Sequence, residues 1–180
     1  QDLGKLEMDP MNERRTTMIK KEIAKMLNDQ INLELHSGYL YLEFANYYEE
    51  KSLSGFAHWF NAQAVEEYEH AMKIREFLND CGVRVTFSPI GDTIKEFDDI
   101  KGPLHEALKH EQFVTKSIYK IYEKALELND HLTANFLQWF IEEQGEEETT
   151  AQLNIDKAKL VGTGGPALYM LDKEMGRREG

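Results

Sequence analysis

The sequence has only one cysteine, Cys81, in 180 residues. A single cysteine cannot form a disulfide within the chain, and it cannot supply the several thiolates that structural zinc and iron–sulfur sites use. We therefore expect a protein of a reducing compartment, the cytoplasm. The sequence also lacks an apolar run long enough to cross a bilayer, so we expect no membrane partner.

Basic residues are fewer than acidic residues. Lys and Arg together number 21, whereas Asp and Glu number 33, which gives a formal net charge of -12 at pH 7. This balance argues against nucleic acid or an anionic membrane surface as the main partner. An acidic surface suits cations, but acidity also serves solubility in many proteins, so the charge alone does not identify a ligand.

Residues 1–17, "QDLGKLEMDPMNERRTT", have no clear helical periodicity. We interpret them as a cloning remnant or, alternatively, as a natural disordered tail; no apolar run marks them as a signal peptide. Residues 18–180 are long enough to form one domain with a sizeable core. The domain prediction therefore covers this second range.

Apolar residues recur at helical spacing in four long segments and one short segment. Gly82 supplies a stop after the second segment, Pro103 suits the first turn of the third, and either Asn129 or Asp130 can cap the fourth. The predicted helices cover Ile19 to Glu50, Phe56 to Cys81, Pro103 to about Leu128, the stretch from Asp130 to "GTGG" at 162–165, and Pro166 to Met175.

The lengths of these segments predict an all-α bundle. Helices of about 26 to 32 residues would each be about 40 to 48 Å long. Short turns make antiparallel hairpins of the first and second helices and of the third and fourth. The long connection 82–102, "GVRVTFSPIGDTIKEFDDIKG", allows the second and third helices to run parallel. Although "VRVTF" resembles a strand, we interpret the whole connection as an ordered crossover loop.

Each long helix has polar residues where its apolar stripe should run. Glu34 lies between Ile31 and Tyr41 of the first stripe, and the other three helices are interrupted in the same way near their midpoints. A single such residue is usually a boundary side chain whose head reaches water. The full set is Glu34, Glu67, His70, Glu111, Gln144 and Glu147.

Helices of similar length bring their midpoints together in a bundle, so we expect four carboxylates and one imidazole to converge in the core. Several buried like charges would be very unfavourable, because each desolvated carboxylate costs several kcal/mol and the charges repel one another. One or two bound cations would resolve both problems. The sequence therefore predicts a dinuclear metal site.

Oxygen-rich ligation with one histidine suits iron or manganese better than structural zinc, and iron is favoured. Glu67, the central acid, is the candidate bridge between two ions that reduce oxygen together. Tyr41, close to Glu34 on the same stripe, can hydrogen-bond a ligand or supply an electron, but a packing role is nearly as good an interpretation.

Four quoted motifs carry a family resemblance. Residues Met18 to Met175 resemble the prokaryotic non-haem ferritins through "DQINLELHSGYLYL", "AQAVEEYEHAMK", "LKHEQFVTKSI" and "NFLQWFIEEQGEEE", one in each long helix. The resemblance implies a ferritin-like four-helix bundle with one long crossover and a short fifth helix at the C-terminal end.

The resemblance also implies roles for individual residues. Glu34, Glu67 and His70 would hold the first iron, and Glu67 would bridge to a second iron held by Glu111 and Glu147. Gln144 would lie beside the pair. The remaining implied positions are Glu66, Glu143 and Glu146 at a third iron site, and Tyr41 and Trp139 as aromatic neighbours of the centre.

The function implied by the resemblance is iron storage with ferroxidase activity. Such proteins oxidise Fe(II) with oxygen or hydrogen peroxide and keep the ferric mineral inside a shell of twenty-four subunits. Haem is not expected, because Tyr68 stands where bacterioferritin offers a methionine, and Glu146 stands where that family has the histidine of a second E-x-x-H. A rubrerythrin would need a cysteine-rich iron module, which one cysteine cannot provide.

One position departs from the pattern of some bacterial ferritins. Gly145 stands where those ferritins have a histidine, so the second and third iron sites could differ from theirs.

Two other functions stay open at this point. The same metal centre could serve a peroxidase or an oxygen-activating enzyme that acts on another substrate. Alternatively, the buried acids could hold structural ions in a helical assembly without enzymatic activity. Retention of ferric mineral separates storage from the first alternative, and Fe(II) oxidation no faster than in metal-containing buffer would favour the second.

Overall fold

The computed structural model describes residues 17–162 and 164–179. Within these ranges the chain is helical, without β-strands, as predicted. All but the last residue of the predicted N-terminal tail, 1–17, lie outside the described residues. The five helices are α1 (Lys21–Glu50), α2 (Ser54–Asp80), α3 (Gly102–Glu127), α4 (His131–Val161) and α5 (Gly165–Met175). The predicted helix ends agree with these bounds to within about two residues, the usual ambiguity of frayed helix ends.

The first three helices end in the same backbone motif, in which a residue in the left-handed conformation reverses the chain. After α2, the amide of Gly82 donates to the carbonyl of Asn79 at 3.0 Å, and the amide of Val83 donates to Leu78 at 2.9 Å. The predicted stop at Gly82 is therefore correct. The residues at the reversing position are Ser52, Gly82 and Asn129, with φ of 60°, 76° and 54°.

The start of α4 follows one of the two predicted caps. Asp130, rather than Asn129, accepts hydrogen bonds from the amide of Thr133 at 3.0 Å and from its hydroxyl at 2.7 Å. These bonds satisfy an amide that has no partner within the helix.

Short turns join α1 to α2 and α3 to α4, and each pair packs along its length as an antiparallel hairpin. The connection between α2 and α3 is a crossover loop, as predicted, and the structure shows that it is held against α1. The side chain of Asn28 exchanges two hydrogen bonds with the backbone of Thr86, at 2.8 and 2.9 Å. Near the other end of the loop, the Tyr48 hydroxyl donates to the Ile100 carbonyl at 2.6 Å. The crossover is therefore fixed by side chains of α1.

The apolar core consists of two clusters, one towards each end of the bundle. The first includes Tyr41, Phe44, Tyr48, Phe56 and Phe60, and it extends to α5. The second includes Ile23, Leu27, Ile74, Ile118 and Phe140. Along every long helix, the polar residues that interrupt the apolar stripe lie between the residues of the two clusters, and they are Glu34, Glu67, His70, Glu111, Gln144 and Glu147. A polar layer thus crosses the middle of the core.

Helix α5 packs against the N-terminal end of α2 through a contact that sequence patterns did not reveal. The buried carboxylate of Asp172 accepts hydrogen bonds from the amides of Gly55 and Phe56, at 2.9 and 3.0 Å. A side chain at Gly55 would place its Cβ 1.6 Å from the Asp172 carbonyl oxygen, so this close approach requires glycine. Asp172 therefore caps α2 from another helix.

None of the helices in the described ranges combines the length and apolar character that a membrane crossing requires.

Candidate metal centre

The polar layer brings together all six residues that interrupt the apolar stripes. Each side chain is more than nine-tenths buried, so water cannot solvate the carboxylates. Helix α1 contributes one member, α2 two, α3 one and α4 two. The members are Glu34, Glu67, His70, Glu111, Gln144 and Glu147, with exposed fractions between 1% and 7%.

One side of the layer is formed by Glu34, Glu67 and His70, whose potential ligand atoms all lie within 4.8 Å of one another. His70 Nδ1 is 3.6 Å from Glu67 Oε2. Gln30 donates to Glu34 Oε1 at 2.8 Å. Among the described residues, none donates a hydrogen bond to the other oxygen, Oε2 of Glu34, although it is buried. A buried carboxylate oxygen without a hydrogen-bond donor can be satisfied by either a proton or a cation.

The other side of the layer is formed by Glu111 and Glu147. Tyr41 donates its hydroxyl to Glu111 Oε1, and Gln144 donates to Glu111 Oε2 at 3.1 Å. Gln63 connects the two sides, because its amide nitrogen lies 2.9 Å from Glu147 Oε2 and 3.2 Å from Glu67 Oε1. These neutral donors orient the carboxylates without neutralising them.

Burial and mutual repulsion make the four acids reluctant to ionise. Desolvation is the largest cause in every case, and it raises the pKa of Glu34 and Glu67 well above the ordinary value. Repulsion from Glu67 adds to the rise for Glu34. The pKa of Glu111 is also raised, although hydrogen bonds from Tyr41 and Gln144 oppose the change. Burial and Glu111 raise the pKa of Glu147 to about 9.

This arrangement is suited to divalent cations. Several carboxylates in a dry layer bind protons when no metal is present, and a divalent ion can replace the protons. Carboxylate oxygens with one imidazole match the preferences of iron and manganese, and no thiolate is present in the layer to favour zinc. The residues present therefore fit the metal centre that the sequence predicts.

Two of the three predicted third-site acids, Glu66 and Glu143, lie on the outer side of this layer, between α2 and α4. Ligand atoms of His70, Glu143 and Glu147 form a second group within 4.8 Å. Glu66 is half-buried and forms an ion pair with Arg178, whereas Glu146 is exposed and belongs to neither group. The structure thus brings Glu143 to the centre and leaves Glu146 at the surface.

A groove of about 480 Å³ leads from the surface to His70. Trp139 contacts the imidazole edge to face, with ring centroids 5.5 Å apart, and Lys73 lies 4.3 Å above the indole. A side chain at Gly145 would meet nothing within 4 Å, so the exchange of histidine for glycine leaves open space there. Tyr68 is exposed, with 55% of its surface accessible.

Tyr41 belongs to the first apolar cluster, and its hydroxyl also reaches the candidate metal centre at Glu111. Burial, followed by the charges of Glu111 and Glu67, raises its pKa well above the ordinary value, so the phenol keeps its proton. His110 packs edge to face against the Tyr41 ring at 5.9 Å. Burial lowers the pKa of His110 to about 4, so this imidazole is neutral at pH 7.

Comparisons with known proteins agree on one family. A family model described as a ferritin-like domain matches residues 24–161. The chain is 38% identical over 156 residues to a bacterial non-heme ferritin of Campylobacter jejuni, covering 87% of this chain and 93% of that protein. It is 35% identical over 161 residues to a bacterial non-heme ferritin of Staphylococcus aureus, covering 89% and 97%.

The chain belongs to the ferritin family. The family resemblance and the bundle architecture predicted from sequence are both confirmed. A solved structure of similar fold is an open pore ferritin from the archaeon Archaeoglobus fulgidus, with a TM-score of 0.87, 38% sequence identity and coverage of 89% of this chain and 98% of that chain.

Three residues that contact the acids of this ferritin were not predicted from the sequence. Gln30 and Gln63 each donate to a glutamate four residues later on the same helix. This spacing places side chains on the same face, so the glutamines four residues before Glu34 and Glu67 were an available signal. Arg178 has no comparable signal, because its contacts with α2 span more than 110 residues.

Proposed function

We propose that this ferritin oxidises Fe(II) at a two-metal centre in the polar layer and stores the ferric product inside a multi-subunit shell. The observation that carries the proposal is the convergence of four buried carboxyl groups and one imidazole, with one buried carboxylate oxygen, Glu34 Oε2, left without a hydrogen-bond donor among the described residues. A cation held by Glu34, Glu67 and His70 would supply the partner that this oxygen otherwise obtains only from a proton.

The two Fe(II) substrate ions share one ligand and otherwise have different ligands. Glu34, Glu67 and His70 hold the first ion, and Glu111 and Glu147 hold the second. Glu67 bridges the two ions, because it is the acid whose neighbours include both Glu34 and the pair across the layer. Two Fe(II) ions supply two electrons, which with two protons reduce oxygen to hydrogen peroxide, or hydrogen peroxide to two waters.

The surrounding residues favour this oxidation in two ways. Anionic carboxylates stabilise Fe(III) more than Fe(II), because the attraction grows with the charge of the ion. Tyr41 and Gln144 hold the two oxygens of Glu111, so that ligand is oriented before metal binds. The apolar clusters on both sides keep bulk water from competing for the ions.

We further propose that a third iron ion binds at the outer side of the layer. Glu143 supplies the nearest acid, and Glu66 and Glu146 are the additional ones that the family resemblance implies. An ion there lies between the groove and the inner pair, which suits iron in transit. The proposal includes no haem.

Storage requires assembly, and we propose a cytoplasmic homo-oligomer of twenty-four chains. Family membership supports this assembly, and so do large apolar side chains at the surface of the isolated chain. They include Tyr39, Leu42, Leu126, Leu160, Tyr169 and Met170.

Anaerobic Fe(II) titration followed by oxygen tests the proposed centre. We expect rapid oxidation of two Fe(II) per chain, and we expect Glu67→Ala and His70→Ala to abolish the rapid phase in folded, assembled protein. Glu69→Ala is the matched control, because this acid lies between the two on the same turn but is exposed. Unchanged oxidation in both site variants would refute the assignment.

The product distinguishes storage from other oxygen chemistry. A storage protein retains ferric mineral through size-exclusion chromatography, whereas a peroxidase acting on another substrate turns over without it. Elution near the 20.9 kDa of one chain would rule out the shell while leaving the metal centre testable.

A further inference from the structure

The residues that follow α5 return along α2 and place one side chain beside the metal centre. The guanidinium carbon of Arg178 lies 4.3 Å from the centre of the Trp59 ring. Its Nη1 donates to Gln63 Oε1 at 2.8 Å, and its Nη2 pairs with Glu66. The backbone is held as well, because His58 Nε2 lies 2.9 Å from the Arg178 carbonyl oxygen.

Arg178 determines which way the Gln63 amide faces. A guanidinium only donates hydrogen bonds, so Gln63 must turn its oxygen towards Arg178. The amide nitrogen is then directed towards the carboxylates of Glu67 and Glu147, at 3.2 and 2.9 Å. Arg178 therefore acts on two acids of the centre through one glutamine.

Glu66 anchors the other half of the guanidinium. The Glu66 side chain lines the same groove as His70 and Glu143, so a cation that enters the groove meets this acid. Its side chain is 40% exposed, whereas that of Arg178 is 17% exposed. A partly exposed ion pair contributes little stability, so a divalent ion coordinated by several acids can replace the guanidinium.

We propose that Arg178 is a positioning residue that holds Gln63 against Glu67 and Glu147, two acids of the inner metal pair. A cation bound at Glu66 displaces Arg178 and so releases Gln63. This inference rests on the proposed function for the inner pair. Before metal reaches Glu66, the arginine stabilises the ligand geometry at Glu67 and Glu147. Occupation of Glu66 frees Gln63, so filling of the outer position loosens the inner one.

Zinc binding to the metal-free, assembled full chain tests this coupling, because Zn(II) is not oxidised. Isothermal titration calorimetry is performed on the wild type, Arg178→Gln and Arg177→Gln. The last variant is the matched control, since it removes the same charge from the neighbouring, exposed residue. We expect two classes of zinc site, a tight pair in the polar layer and a weaker site at Glu66. The class that Glu66→Gln removes is the one that uses Glu66.

We expect Arg178→Gln to change the two binding classes in opposite directions. The weak class should tighten about twofold to fivefold, because an ion pair of the usual strength no longer competes for Glu66. The tight pair should weaken about threefold, because Gln63 loses its fixed orientation. General loss of positive charge would instead tighten both classes, as expected to a smaller extent for Arg177→Gln.

The outcomes separate the two proposals. Absence of a tight two-ion class in the wild type would refute the proposed centre. If that class is present, uniform tightening in Arg178→Gln, or a change equal to that of Arg177→Gln, overturns the role of Arg178 alone. Persistence of the gain in the Glu66→Gln/Arg178→Gln double variant also overturns it, because the gain must come from freeing Glu66.

Discussion

Replacement of Glu147 by glutamine should stabilise the metal-free protein at neutral pH. Burial and Glu111 raise the Glu147 pKa from 4.5 to about 9, so the folded chain holds a proton that the unfolded chain releases. Stability from this group is complete below pH 4.5 and is lost as pH rises towards 9. Glutamine has a similar shape, does not titrate, and can still accept from Gln63 through its amide oxygen.

The magnitude follows from the free energy of proton release. Each pH unit between the two pKa values removes about 1.4 kcal/mol, so the wild type loses about 3 kcal/mol at pH 7. Because the neighbouring acids share protons with Glu147, about 1 to 3 kcal/mol is the expected gain for Glu147→Gln. For a chain of this length, that corresponds to a rise in melting temperature of roughly 3 to 10 °C.

Thermal melts followed by circular dichroism check this prediction at pH 5, 6, 7 and 8 after treatment with a chelator. Protein concentration and scan rate must be matched, because assembly and irreversibility both affect the melting temperature. Glu142→Gln is the control, since Glu142 is exposed on the same helix. A difference between Glu147→Gln and the wild type that stays constant from pH 5 to pH 8, or reverses, would refute the reasoning.

Three further substitutions test other contacts. Asp172→Ala removes the acceptor of two amides at the start of α2 and should cost about 1 to 2 kcal/mol, measurable as a lower melting temperature; an unchanged value would contradict the capping role. Gly55→Ala should displace α5, so limited proteolysis should cut the C-terminal segment faster; wild-type cleavage would contradict the steric argument. Tyr41→Phe should slow Fe(II) oxidation several-fold without unfolding, because Glu111 loses a donor; an unchanged rate would limit Tyr41 to packing.

The sequence predicts the bundle well because its signals are local. Apolar spacing identifies the helices, and residues such as Gly82 and Pro103 mark their ends. The same periodicity locates the polar layer, since Glu34 and Glu111 interrupt stripes that are otherwise apolar. Placement of these residues at one level follows from similar helix lengths and needs no knowledge of side-chain contacts.

The contacts around the acids depend on tertiary packing, which leaves no periodic signal. Asp172 resembles any acid in a short helix until α5 is placed against α2. Arg178 directly follows another arginine, Arg177. Only the folded structure shows which of the two contacts Gln63. Glu146 illustrates the opposite case, because the family resemblance implies a ligand there although the structure leaves it exposed.

The polar layer lowers the stability of this ferritin, because buried acids occupy core positions where apolar side chains would stabilise the fold more. The acids are buried between two well-packed clusters, so they cannot escape to water without opening the bundle. In the metal-free protein, protons relieve part of the repulsion, and cation binding must release those protons. At the proposed centre, cation binding therefore relieves a repulsion that already exists among the acids, and the packing of the two clusters opposes its relief by local unfolding.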